Sequence, residues 1–127
     1  MVTQELVKPQ LELGEQVTRA LAADSKIDLR AAAWWRDEET GQLRFLVSTP
    51  ICDTHGPRKA YRQIRRAIEK NGLLDRFPLE LLWAVGVDHA IVKRLRDTVG
   101  TGRSDLLLSS FDTDGFFSDC LYLYALK

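Results

Sequence analysis

The sequence predicts an α+β domain with one mixed, mostly antiparallel sheet and helices packed largely on one face. Three observations predict it. Residues 27–36 and 43–48 alternate in side-chain direction on either side of the polar run DEETGQ, the pattern of a β-hairpin. Residues 57–70 place Ala60, Tyr61, Ile64, Ala67 and Ile68 on one helical stripe and cations on the rest. A second apolar pair, residues 105–111 and 116–126, flanks an Asp-Gly turn near the C-terminus. The element order is α-β-β-α-β-α-β-β, with no internal repeat, low-complexity tract or linker.

The first helix is expected over residues 9–23. Pro9 suits a first turn, where its missing N–H would have no partner anyway. Leu13, Val17, Ala20 and Leu21 recur at helical spacing. Gly14 opposes the assignment by about 1 kcal/mol relative to alanine. Residues 1–8 read as loosely held. In the first strand Ile27, Leu29, Ala31, Ala33 and Trp35 share one face, which leaves Trp34 on the other. The second strand aligns Leu43, Phe45 and Val47. A short polar loop, residues 51–56, then feeds the basic helix, which begins at Pro57 and stops at Asn71-Gly72.

Residues 79–87 (LELLWAVGV) are almost wholly apolar and read as an interior strand covered on both faces. Asp88 is placed to cap a helix over residues 89–98, with Ile91, Val92 and Leu95 inward. Gly100-Thr101-Gly102 ends it. The final strand is apolar on both faces, so it belongs inside the sheet.

A chain of 127 residues suits a single domain spanning 1–127, large enough to bury its own core without staples. Two cysteines, Cys52 and Cys120, are too few for a disulfide scaffold and read as small apolar residues. No apolar run is long enough to cross a membrane, and the first ten residues lack the core of a signal peptide. The expected location is the cytoplasm, with no membrane partner.

Charge sums to zero but is segregated. Residues 1–56 carry −3, 57–70 carry +5, 71–92 carry −2, 93–103 carry +3 and 104–127 carry −3. The two positive segments are the outer faces of two helices. Side by side they would form one basic surface from Arg58, Lys59, Arg62, Arg65, Arg66, Lys93, Arg94 and Arg96, joined by Lys70 and Arg103, suited to the phosphates of nucleic acid. On opposite sides of the sheet they would not. No aromatic residue interleaves these cations. The acidic ends can instead meet a neighbour's basic face, which would give a homo-oligomer.

One loop gathers reactive side chains. In Cys52-Asp53-Thr54-His55-Gly56, His55 has the chemistry of a general base and Asp53 that of its orienting carboxylate. The plain alternative is a helix-capping loop. Asp53, His55, Asp88 and His89 would be an acceptable ligand set if both loops opened at one sheet edge, but no metal-ligand spacing is present, and no cofactor is implied. Trp34 either packs under a helix or forms an exposed contact for a partner.

The run WWRDxxxGxLRFLVSTP followed by DxxGPxxAY, within residues 30–65, resembles small bacterial proteins of no assigned function. The resemblance implies a bacterial, cytoplasmic origin and agrees with a hairpin followed by a helix. It carries over no site. The sequence therefore points to a small protein that acts by binding rather than catalysis. The first expectation is a protein partner or a second copy, the next is nucleic acid, and the last is an enzyme at Asp53 and His55.

Overall fold

The computed structural model describes residues 6–102, 104–113 and 115–127. Its elements are α1 (Lys8–Ala22), β1 (Ala31–Asp37), β2 (Leu43–Ser48), α2 (Ile51–Thr54), α3 (Pro57–Lys70), a 3-10 turn (Leu79–Leu81), β3 (Leu82–Val85), α4 (Ala90–Val99), β4 (Leu106–Leu108), β5 (Phe111–Thr113) and β6 (Phe116–Leu126). The predicted order is present. The α2 turn, the 3-10 turn and the split of one strand into β4 and β5 are additions. Arg103 and the aspartate of the expected Asp-Gly turn, Asp114, lie outside the described residues, as do residues 1–5.

The strands form one six-stranded sheet in the order β3-β2-β1-β6-β4, with β5 also paired to β6. Every pairing is antiparallel except β2 with β3, whose register runs from Phe45↔Leu82 to Ser48↔Val85. β6 lies inside the sheet, as its two apolar faces predict. β3 does not: it is an edge strand. Its outer backbone is instead met by Tyr61 of α3, whose hydroxyl donates to the Leu82 carbonyl at 3.3 Å and accepts from the Ala84 N–H at 3.1 Å. A side chain thereby blunts the exposed edge.

The first strand is also shorter than its alternation suggests. Asp28 takes a positive φ of 52° and binds Arg30, so the chain turns there and pairs only from Ala31.

β1 sits at the centre and is buried on both sides. Ala32 and Trp34 enter one core with Val17, Leu21, Phe45, Ile64 and Ile68. Ala31, Ala33 and Trp35 enter a second core with Leu46, Ile91, Val92 and Leu95. Hence α1 and α3 cover one face while α4 covers the other. Each indole is at most 2% exposed. At roughly 200 Å² apiece, that burial stabilises the fold by about 5 kcal/mol per ring. Both rings sit among other aromatics, Trp34 edge-on to Phe45 at 4.9 Å and Trp35 edge-on to Phe111 at 5.8 Å.

α1 is pinned to the sheet by two hydrogen bonds from aromatic side chains to its own carbonyls. Trp34 Nε1 donates to Gln10 at 2.8 Å, and the Tyr124 hydroxyl donates to Leu11 at 2.6 Å. Burial pushes the Tyr124 pKa up and keeps it a donor. Gly14 makes this approach feasible. A Cβ there would overlap the Tyr124 hydroxyl and Trp34 Nε1. Both rings are buried, so neither can move aside cheaply. The glycine that weakens the helix locally is thus required by packing.

Gly14→Ala is predicted to destabilise the protein by about 2–3 kcal/mol through overpacking and loss of these hydrogen bonds. The same change on an exposed helix stabilises by about 1 kcal/mol. Urea unfolding with the variant decides between the two signs.

Candidate functional site

The loop with the most reactive residues is occupied by structural work. Residues 51–54 form the short α2, and Asp53 faces the segment between β3 and α4. Its Oδ2 accepts the Val87 N–H at 3.0 Å. Gly86 lacks the Cβ that would collide with the same carboxylate. The Gly86 carbonyl in turn accepts from Ser48 Oγ at 3.0 Å. Asp53 therefore ties α2 to the entry of α4 and does not orient His55. His55 is exposed, with Nδ1 at 2.7 Å from Thr54 Oγ1. The Asp53–His55 dyad is absent because the two side chains serve different neighbours. Cys52 is half-buried, and desolvation and then the Asp53 charge push its thiol pKa up, away from a reactive thiolate.

The second loop behaves the same way. His89, rather than Asp88, is the N-cap of α4, its Nδ1 accepting the Ile91 N–H at 3.2 Å. The ring packs against Trp83 and Phe116. Asp88 points to solvent, 3.9 Å from Arg96. Among the described residues, no three His, Cys, Asp or Glu side chains come together as a metal would require.

Trp34 is not an exposed contact. It lies under α1, because the face opposite Trp35 is also covered. The large apolar side chains that are exposed lie elsewhere: Val7 before α1, Leu107 on β4 and Phe117 on β6.

The basic residues divide into two groups. Since α3 and α4 cover opposite faces of the sheet, their cations point away from each other and the two-helix surface does not form. Lys93 and Arg94 are exposed on α4, while Arg96 donates to the Lys127 carbonyl at 3.1 Å. α3 alone holds Arg58, Lys59, Arg62, Arg65, Arg66 and Lys70. All six are exposed. The ion pairs among the described residues join Arg19 to Glu15, Arg30 to Asp28, Arg36 to Asp119 and Arg96 to Asp88. None involves α3.

Arg58, Arg62, Arg66 and Lys70 repeat every fourth residue, so they form one row along α3 with about 6 Å of rise per step. Like charges at this spacing destabilise a helix by about 0.2–0.5 kcal/mol per pair. This row has three such pairs and, among the described residues, no ion pair to a carboxylate in return, although Glu69 lies on the same helix. Its N-terminal end is Gly56, which offers no side-chain cap, so exposed N–H groups and the positive end of the helix dipole add to the field. The row was legible in the sequence by its spacing alone.

Beside the row lies a trough between α1 and α3 that the sequence did not reveal. Its largest cavity, about 460 Å³, is lined by Lys26, Arg66 and Lys70 with Asp24, Gln63 and Asn71. Lys26 comes from the turn after α1, and Arg76, further along the trough, from the connection after α3. Only the folded topology brings these separate cations together.

No protein-family model matches the chain, and no curated protein or solved structure is significantly similar to it. Among the described residues no helix is long and apolar enough to cross a membrane.

Burial holds the His89 imidazole below its ordinary pKa. The unfolded chain, where histidine titrates near about 6.5, therefore takes up a proton first. The stability of the neutral cap is present above that value and is lost as pH falls below it. Between about pH 7.5 and about 5.5 the urea midpoint of the wild type is predicted to fall. His89→Asn, which caps without titrating, should lose less over the same range. Equal losses in the two proteins would exclude His89 as the source.

Proposed function

We propose that this chain binds nucleic acid through the phosphate backbone, using the exposed face of α3. The observation that carries the reading is the row Arg58–Arg62–Arg66–Lys70, unpaired among the described residues. A helix face that repels itself and, among the described residues, has no carboxylate within ion-pairing distance is costly to keep for stability alone, and a polyanion supplies the missing counter-charge. Lys59 and Arg65 flank the row and widen it. With no aromatic side chain among these cations, contacts fall on phosphates rather than bases, so binding is insensitive to sequence. The protein acts by binding, in keeping with the structural roles of Asp53 and His89. A bacterial, cytoplasmic setting, as the sequence resemblance implies, agrees with such a ligand.

About four to six phosphate contacts would give a slope of roughly −4 to −5 when log affinity is plotted against log salt. Arg58→Glu/Arg62→Glu is predicted to weaken duplex binding at least about tenfold and flatten that slope by about two. Lys93→Glu/Arg94→Glu reverses the same charge on the opposite side of the sheet and should change affinity by less than about twofold. Equal losses in both variants would mean that net charge, not the α3 face, drives binding.

A protein contact has one observation in its favour. Leu107 is 58% exposed on β4, the strand at the other edge of the sheet. Edge strands with exposed apolar side chains invite pairing with a second copy. Sedimentation of the wild type beside Leu107→Asp tests it: a concentration-dependent dimer lost in the variant supports this reading, and a monomer at all concentrations removes it.

A further inference from the structure

The trough begins between α1 and α3 and continues, beyond the row of cations, between α1 and the connection of residues 71–76. Cavities of about 460, 340 and 320 Å³ adjoin along α1, the first two sharing Ala20 and Asn71, the last two sharing Gln16 and Arg76. The cleft is open at its first end because Ala20, Ala23 and Ala67 are the residues facing across it. Arg66 and Lys70 belong to both the α3 row and the trough wall, so the row leads directly into the cleft.

The electrostatic balance at that end favours an anion. Lys26, Arg66 and Lys70 bring three positive charges. Opposing them are Asp24 and the C-termini of α1 and α3, the latter worth about half a charge each. Both Asp24 oxygens are already engaged, by the Lys26 N–H at 2.9 Å and by Gln63 Nε2 at 3.0 Å. Further along, Arg76 donates to Gln16 Oε1 at 3.0 Å and, among the described residues, forms no ion pair, with Glu12 the one carboxylate lining the last cavity.

Size then selects the form of ligand. Cavities of about 460, 340 and 320 Å³ each match one small-molecule-sized group, so they admit the successive units of a single strand and not the paired strands of a duplex. We infer that the trough receives a single-stranded segment of nucleic acid, its phosphates passing from Arg66 and Lys70 to Lys26 and Arg76. This rests on the phosphate-binding reading of α3 and adds a second, strand-selective surface to it. Among the described residues no aromatic side chain lines the trough, which makes this a backbone contact, without base stacking.

Fluorescence anisotropy with a short labelled single strand and a blunt duplex of the same sequence tests the inference. Lys26→Glu/Arg76→Glu should weaken the single strand about tenfold and the duplex less than about twofold. Lys26→Gln/Arg76→Gln should act in the same direction with a smaller effect, and melting curves confirm that both variants fold. If the wild type binds duplex while its single-strand affinity ignores both trough variants, the trough inference fails and the α3 reading stands. If the wild type binds neither probe, the α3 reading fails with it. Binding of poly-glutamate in place of either nucleic acid, abolished by Lys26→Glu/Arg76→Glu, would overturn the inference in favour of an acidic protein segment.

Discussion

The fold depends on the burial of β1 on both faces. Consecutive strand residues point to opposite sides of a sheet, so Trp34 and Trp35 demand a cover above and below. Two large indoles cannot be left in water at a cost of about 5 kcal/mol each when domains are stable by only about 5–15 kcal/mol. The chain answers with α1 and α3 on one side and α4 on the other. That division sets the proposed binding surface. It separates the two basic helices, and it places α3 beside α1, so that a cleft forms between them.

Gly14 governs how closely the first of these covers can settle. By omitting a side chain it lets α1 rest on Trp34 and Tyr124, which hold the helix by its own carbonyls. α3 is held differently, by an apolar stripe of Ala60, Ile64, Ala67 and Ile68 and by the Tyr61 hydroxyl at the β3 edge. Small residues at the junction of the two helices leave the trough open. Stability is therefore drawn from one face of α3 and the proposed binding from the opposite face, and a charge change on the outer row leaves the packed stripe untouched.

Much of the architecture was legible because it is encoded locally. Pro57 and Asn71-Gly72 bound α3 where the structure bounds it, and the alternation around DEETGQ identifies the first hairpin. The interior position of β6 followed from its apolar faces. Longer-range features were not legible. The apolar run in residues 79–87 suggested an interior strand, but an edge strand can look the same when a tyrosine from a helix occupies its open side. Gly14 read as a weakness because its reason lies in residues 34 and 124. The adjacent tryptophans carry a signal that both faces are covered, but nothing local says which helix covers which face. As for the site, Asp53 and His55 are close in sequence, yet their partners, Val87 and Thr54, draw them apart. Lys26 and Arg76 are far apart in sequence and line one trough.

The central claim is that nucleic acid contacts the α3 side of the sheet. A titration of ¹⁵N-labelled protein with a short duplex at low salt, followed through backbone amide shifts, tests it most directly. The predicted footprint covers the exposed face of α3 from Arg58 to Lys70, and fades as salt is raised. Shifts confined to α4 or to the β4 edge, or no shifts at all at low salt, would contradict it.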